Sequence, residues 1–331
     1  MRRNTWIVTA AAALLATTSA CAQSGDDSGE KTESSYPKRA VKLIVPFAPG
    51  SSTDVVGRVW ADCYERQLGK AFTVENRDGG SGSIGMTEAA QAKPDGYTLV
   101  FGSTSSSTLT PALNPDVTYD IDSFAPVGAV TLSYPFIVVA KDSPYNTLED
   151  LVTAGQKKTL SVTDSGVSTI SGLVGDGLAK NFGLKIKHVT PSSVAEIKRG
   201  LEQGDYDFGV SNVTPETVPW IKDKQLKVLA IASEEAPDWA PADTPTVISA
   251  GYGKGQLPAA GNLGFIAAPA GTSPAILKRL EKANEACHND EDAVKLLGEE
   301  VVSPEGYDSA KVVSLMRETV KTLEEQGISV S

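Results

Sequence analysis

Residues 41–54 read VKLIVPFAPGSSTD, and this stretch decides the fold of the 331-residue chain. Residues 41–45 are a short, mostly β-branched apolar run ended by a proline, which predicts a buried strand. Apolar residues then recur with helical spacing over residues 55–68 until a glycine, which predicts a helix. The turn between them ends in candidate N-caps, Ser52 or Thr53. The first amides of a helix lack acceptors within it, so this turn is a candidate anion site.

The same stretch resembles the Pro-Phe-x-Pro-Gly-Gly-x-x-Asp signature of the substrate-binding receptors of tripartite tricarboxylate transporters, the Bug family. The resemblance extends over residues 36–331 through Glu75-Asn76-Arg77, Gly82-Ser83-Ile84-Gly85, Lys93-Pro94-Asp95-Gly96-Tyr97-Thr98-Leu99, Tyr119-Asp120 with Phe124-Ala125-Pro126-Val127, Pro245-Thr246-Val247, and Ala268-Pro269-Ala270-Gly271-Thr272. It implies an α/β fold of the type II periplasmic-binding-protein kind. Each of two lobes would contain a mixed or mostly parallel sheet flanked by helices, with a ligand cleft between the lobes.

Composition agrees with a globular protein of about two domains. Hydrophobic residues make up 40% and charged residues 21% of the chain, which is enough for ample cores. The formal charge of −11 argues against nucleic acid and anionic membrane surfaces as partners.

Residues 1–20 predict an export signal, because Arg2 and Arg3 precede an apolar segment too short to span a bilayer. Ser19-Ala20-Cys21 resembles a lipoprotein processing site, although Thr18 stands where that pattern usually has Leu. We therefore expect lipid attachment at Cys21 and an exported, extracytoplasmic protein held at the outer face of the cell membrane. Ordinary signal cleavage, which leaves this cysteine unmodified or removes it, is the alternative.

After the signal, polar residues 21–35 predict a flexible tether. Strand and helix signals then alternate, and two crossings divide the rest of the chain. We expect residues 36–132 with 262–331 to form lobe 1, and residues 133–261 to form lobe 2.

Two further cysteines, Cys63 and Cys287, lie on the apolar stripes of predicted helices. This placement predicts two buried free thiols. A disulfide is the alternative, since an exported protein permits one and the number is even.

The candidate site in lobe 1 is the turn that opens the first helix. Backbone amides and hydroxyls there could hold a carboxylate, and the expected ligand-binding residues are Phe47, Gly50, Ser51, Ser52 and Thr53. Asp54 is expected to be a structural cap, and a ligand contact only for a substrate that carries an amine. Ser103 and Thr104, just beyond a predicted strand, are secondary candidates.

Lobe 2 has a similar strand–turn–helix pattern at Asp164-Ser165-Gly166-Val167-Ser168-Thr169. The family resembles Ser-x-Gly-x-Gly-Ser-x-x-His-Leu here, and this chain departs from it with Ser168 for Gly and Gly172 for His. The expected ligand-binding residues are Ser165, Gly166, Ser168 and Thr169, with Asn212 secondary.

Enzyme signatures are weaker. Gly80-Ser81-Gly82-Ser83-Ile84-Gly85 fits the dinucleotide fingerprint, but it begins several residues after its strand and no acidic residue follows about 20 residues later. A hydrolase that uses Ser165 or Ser168 with His188 is compatible with the spacing, and nothing else favours it. We expect no catalytic residues, no cofactor and no metal site.

The resemblance implies a solute-binding receptor that captures a small di- or tricarboxylate, or a related organic acid, and delivers it to the membrane permease subunits of a tripartite tricarboxylate-type transporter. We expect a monomer without nucleic-acid partners that meets the membrane only through its lipid anchor. A ligand sensor that feeds a signalling system is the alternative.

Overall fold

The computed structural model describes residues 35–166, 168–191, 193–233, 235–237, 239–252, 261–304 and 307–325, with side chains up to residue 321. Two five-stranded sheets flanked by helices form two lobes. The predicted export signal, the lipid attachment at Cys21 and nearly all of the predicted tether lie outside the described residues.

The first sheet is mixed. Its strands are β1 (Val41–Val45), β2 (Phe72–Asn76), β3 (Thr98–Ser103), β4 (Phe124–Ser133) and β10 (Asn262–Pro269). Their order is β2-β1-β3-β10-β4, and β10 alone runs antiparallel to its neighbours.

The second sheet repeats this plan. Its strands are β5 (Pro135–Val139), β6 (Thr159–Thr163), β7 (Lys185–Val189), β8 (Phe208–Asn212) and β9 (Lys227–Ile231). Their order is β7-β6-β8-β5-β9, and β5 is the reversed strand. All five β5 residues are buried because the strand is covered on both faces.

The helices cover both sheets. They are α1 (Ser52–Leu68), α2 (Ser83–Ala90), α3 (Thr110–Leu113), α4 (Leu148–Lys157), α5 (Ile170–Phe182), α6 (Val194–Gln203), α7 (Val218–Lys222), α8 (Pro274–His288), α9 (Glu291–Leu297) and α10 (Ser309–Glu325). Short 3₁₀ turns occur at Gly80–Gly82 and Ile121–Ser123.

Ser103 is the last residue of β3, and the chain beyond it is helical rather than a loop. A π-helical turn at Ser105–Leu109 leads directly into α3. The Ser107 and Thr108 hydroxyls donate to the carbonyl oxygens of Ser103 and Thr104, at 2.7 and 2.5 Å. Because these hydroxyls are satisfied locally, a run of polar residues is buried and helical.

The reversed strands explain where the cleft lies. The chain leaves the first sheet at the carboxyl end of β4 and enters β5 two residues later, and it returns at the amino end of β10. Both crossings therefore lie at the carboxyl edges of the parallel strands. The first is fixed by hydrogen bonds from the Val213 and Ala232 amides to the carbonyls of Tyr134 and Pro135. Ligands bind at this edge of open α/β sheets.

A third segment joins the lobes and was not expected from the sequence. After α9, the Val301 carbonyl accepts from the Leu132 amide of β4, while the Val301 side chain packs in the lobe 2 core with Trp220 and Ile221. Lys222 and Glu300 form an ion pair beside it. The connections between the lobes, here called the hinge, therefore include the chain around Val301 as well as the two crossings.

Helices α1 and α8 are joined by a disulfide between Cys63 and Cys287, with Cα atoms 5.9 Å apart. The expectation of free thiols is therefore wrong. The same contact contains a buried polar hub, in which Asn284 accepts from the Trp60 indole and the Tyr64 hydroxyl and donates to the Ala129 carbonyl. The two helices consequently form one rigid layer over β4.

In the part of the chain that the structure describes, each helix is too short or too polar to cross a membrane.

Replacing both Cys63 and Cys287 by Ala should lower the free energy of unfolding by about 2–5 kcal/mol, because the bridge closes a loop of 224 residues in the unfolded chain. The measurement is urea unfolding of both proteins with and without dithiothreitol. Reductant should destabilise the wild type and leave the double variant unchanged. Equal unfolding midpoints for wild type and variant would contradict the prediction.

Candidate functional site

A cavity of about 340 Å³ lies between the lobes, at the carboxyl edges of both sheets. Its volume suits a small organic molecule. Eight of the thirteen ligand-binding residues expected from the sequence line it: Phe47, Ser51, Ser52, Thr53, Ser103, Ser165, Thr169 and Asn212. The other five lie outside this lining: Gly50, Asp54, Thr104, Gly166 and Ser168.

Lobe 1 presents the start of α1 to the cavity. Ser51 is the N-cap, and its hydroxyl accepts from the Asp54 amide at 3.2 Å. The Ser51 amide itself donates to Ala48. Helix geometry provides no acceptor for the next two amides, those of Ser52 and Thr53. These two donors, at the positive end of a 17-residue helix, are therefore placed to bind an anion.

Asp54 stabilises this turn through hydrogen bonds to its buried side chain. Its side chain is 4% exposed and accepts from the Gly50 amide at 2.9 Å, the Asn76 amide group at 2.8 Å and the Arg58 guanidinium. Burial alone would raise the pKa of Asp54, but these hydrogen bonds outweigh it and hold the pKa below its usual value. The carboxylate is thus ionised, and Arg58 compensates its charge close to the anion site.

In lobe 2 the expected amide cradle is largely occupied. The Ser165 amide donates to Ser171 Oγ at 3.3 Å, the Gly166 amide to Asp164 Oδ1 at 2.8 Å and the Thr169 amide to the Gly166 carbonyl at 3.1 Å. This turn therefore contributes side chains rather than unpaired amides to the cavity wall.

Asp164 is fully buried and lines the cavity, where a bare carboxylate would repel an anionic ligand. His188 Nδ1 lies 2.5 Å from Asp164 Oδ2, and His188 Nε2 lies 3.0 Å from Asp176 Oδ1. Burial alone would lower the pKa of His188, but these hydrogen bonds outweigh it and raise the pKa above the ordinary 6.5. Both ring nitrogens face carboxylates, so the hydrolase arrangement with Ser165 or Ser168 is not what the structure shows.

The structure also explains Thr104. Its hydroxyl oxygen accepts from the Leu263 amide at 3.1 Å and so joins β3 to β10 below the cavity. Asn212 reaches the lining, while its side-chain oxygen Oδ1 is buried without a hydrogen-bond partner among the described residues.

Sequence reasoning missed part of the lining. Ser193 caps α6 by accepting from the Glu196 amide, which brings a further helix start to the cavity. The other polar lining residues outside the expected ligand-binding set are Asp78, Ser105, Thr131, Ser133, Asp164, Thr190, Thr214 and Asn262. Several of them could have been predicted from their position next to strand ends. They lie at the carboxyl ends of β4, β7 and β8 or at the amino end of the reversed strand β10, which is the edge where ligands bind in such sheets.

Lysine and arginine are absent from the part of the lining that the structure describes, and its charged members are Asp78 and Asp164. Likewise, within the described residues, no three His, Cys, Asp or Glu side chains are grouped as metal ligands. The donors that the described lining offers to an anion are therefore backbone amides, hydroxyls and the helix dipole.

Fold and cavity together define a two-lobed solute-binding protein. The sequence profile described as "Tripartite tricarboxylate transporter family receptor" matches residues 56–326, and the chain belongs to this family. The resemblance and the two-lobed fold predicted from the sequence are confirmed. The family is one of receptors.

Two curated relatives are each 30% identical to the chain. One is a UPF0065 protein from the TAR-I ttuE-ttuC' intergenic region of Agrobacterium vitis, with 86% of this chain and 82% of the relative aligned. The other is Protein BugT of Bordetella pertussis, with 76% and 77% aligned. A solved structure, MatC from Rhodopseudomonas palustris with bound malate, is 26% identical with a TM-score of 0.77, and the match covers 88% of this chain and 99% of MatC.

His188 should make the stability of the protein depend on pH. Its pKa is raised by folding, so its contribution is fully present below the unfolded value of about 6.5 and is lost as the pH rises through the folded pKa. We expect the free energy of unfolding to fall more between pH 6 and pH 9 in the wild type than in His188→Gln, which cannot be protonated. Denaturant unfolding at both pH values measures this, and equal losses would refute it.

Proposed function

We propose that this protein is an extracytoplasmic solute-binding receptor that captures a small carboxylate and delivers it to a tripartite tricarboxylate-type permease. Membership of the receptor family supports the transport role, and the malate bound by MatC supports a carboxylate ligand. Export and tethering through Cys21 are part of the proposal and are supported by the N-terminal sequence. Binding, not catalysis, is the proposed activity.

The observation that carries the proposal is the position of the α1 start on the cavity wall. The Ser52 and Thr53 amides are donors without helical acceptors, and Ser51, Ser52 and Thr53 all line the cavity. An ionised carboxylate accepts such hydrogen bonds in the plane of its two oxygens. We therefore assign the ligand carboxylate to this turn.

The rest of the ligand would extend toward lobe 2. Ser165, Thr169 and Asn212 line that side, and Ser103 lines the cavity at the carboxyl end of β3. Since Asp164 is paired with His188, the lobe 2 wall does not present an isolated negative charge to an anion.

A single proline substitution, Ser52→Pro, tests whether the ligand carboxylate binds at this turn. Ser52 is the first helical residue, where proline is tolerated, and Ser51 has φ −72° and ψ 159°, which a residue before proline favours. Ser52→Pro should therefore fold normally while it removes one amide donor. A charge-assisted hydrogen bond contributes about 1.5–3 kcal/mol, so we expect carboxylate affinity to fall about 10- to 100-fold.

Ser52→Ala is the matched control, because it removes the hydroxyl and keeps the amide. Binding is measured by calorimetry with the acid that most raises the melting temperature in a screen of carboxylic acids. If Ser52→Pro folds and binds as tightly as Ser52→Ala, the ligand carboxylate does not lie on this turn. If no carboxylic acid stabilises the wild type, the proposed ligand class is wrong.

A further inference from the structure

The two lobes touch through residues that belong to neither crossing. Ser105 lies in the π-helical turn of lobe 1 and is 2% exposed. Its hydroxyl donates to Asn262 Oδ1 at 3.2 Å and accepts from the Ile170 amide of lobe 2 at 3.2 Å. Ile170 is the first residue of α5, so its amide has no acceptor within the helix. A lobe 1 hydroxyl thus satisfies a lobe 2 helix start.

A second polar contact lies beside the first. The Thr110 hydroxyl is within 3.0 Å of the Ser81 carbonyl of lobe 1 and 3.5 Å of the Ser168 carbonyl of lobe 2. Thr110 is 1% exposed, so this hydroxyl is shielded from water. A hydroxyl has one proton, so the Ser81 carbonyl is its main acceptor and the Ser168 carbonyl adds a weaker contact across the lobes.

Apolar packing seals the same contact. Leu109 and Ile170 are 1% and 3% exposed and form a cluster of their own, with Ala112 on one lobe and Leu173 on the other packed against them. Separation of the lobes would expose both side chains to water, which opposes opening.

The glycine-rich segment that resembled a dinucleotide fingerprint takes part in this contact. Gly79, Gly80, Ser81 and Gly82 have φ values of 128°, 58°, 54° and 94°. The left-handed conformation is unfavourable for Ser81, and it places this residue against Gly166 of lobe 2, where an added Cβ would lie 3.0 Å from the Ser81 hydroxyl oxygen. Gly166 itself has φ 122°, which residues with a side chain rarely adopt, and the close approach of the lobes is a second reason for a glycine at this position.

We propose that Ser105, Leu109 and Thr110 of lobe 1, with Ser168 and Ile170 of lobe 2, form an interlobe latch. The latch holds the lobes together before any ligand binds, because each of its contacts is between protein atoms. It also positions the cavity walls, since Ser105 lines the cavity and Thr169, which caps α5, lies between the two lobe 2 latch residues. The predicted effect of the latch on ligand affinity rests on the proposed carboxylate binding. Its predicted effect on the closure of the two lobes without ligand does not.

Hydrogen exchange of the Ile170 amide in the ligand-free protein measures directly whether the latch contact is formed. Its acceptor is Ser105, so protection at this position reports contact between the lobes rather than helix formation. We expect slow exchange in the wild type and at least tenfold faster exchange in Ser105→Ala. Ser107→Ala is the matched control, since the Ser107 hydroxyl donates within lobe 1 to the Ser103 carbonyl. It should leave Ile170 protected.

X-ray scattering tests closure of the whole molecule. Ser105→Ala with Thr110→Val should show a larger radius of gyration than the wild type without ligand. The control pair is Ser107→Ala with Thr108→Val, because the Thr108 hydroxyl also bonds within lobe 1. Saturating malate, used as the probe, should close the latch variant again, with an affinity about tenfold weaker than that of the wild type.

Equal Ile170 exchange in wild type and Ser105→Ala, or equal scattering from folded latch and control variants, overturns the latch. If the double variant fails to fold, the single variants Ser105→Ala and Thr110→Val decide the question in the same way. If malate binds none of these proteins, the exchange and the ligand-free scattering still decide the latch, and only the proposed ligand is called into question.

Discussion

One reversed strand in each sheet governs the architecture. Because β5 and β10 run against their neighbours, the chain passes between lobes at the edge where the parallel strands end. The helices that follow the parallel strands therefore begin at this edge in both lobes, and their first residues face the space between the lobes. The cavity, the hinge and the polar lining all occupy this edge as a result. The α1–α8 disulfide and the Asn284 hub tie two helices of lobe 1 together beside β4.

The proposed anion site in this acidic protein is favoured because two of the carboxylates near the cavity are paired with basic groups. Asp54 is paired with Arg58 on one side of the site, and Asp164 with His188 on the other. The α1 start adds a partial positive charge, which acts over a short distance. The net charge of −11 acts over a longer range and is screened by salt within about 8–10 Å. Local donors therefore outweigh the global field.

The strand–turn–helix pattern around residue 50 was enough to predict the helix start that lines the cavity in lobe 1, because hydrophobic periodicity and turn residues locate a helix start. Lobe 2 was harder. Whether an amide is unpaired depends on tertiary contacts, and Asp164, Ser171 and Ser105 accept from amides that the local sequence leaves open. The π-helical turn was missed for a similar reason, since serine and threonine indicate loops unless their hydroxyls find partners within the fold. The disulfide depended on Cα spacing, which only the packing of two distant helices decides.

The described lining contains no lysine or arginine, which limits how tightly these walls alone could hold an anionic ligand. A micromolar receptor needs about −8 kcal/mol, and a charge-assisted hydrogen bond contributes about 1.5–3 kcal/mol before the cost of immobilising the ligand. Apparent affinity also scales with the fraction of free protein that is already closed, so contacts between the lobes strengthen binding without touching the ligand. The same contacts must break before the ligand can leave. A permease that receives it would therefore have to bind the open form more tightly than the closed one, and the surfaces that part around Ser105 and Ile170 are where that preference would act.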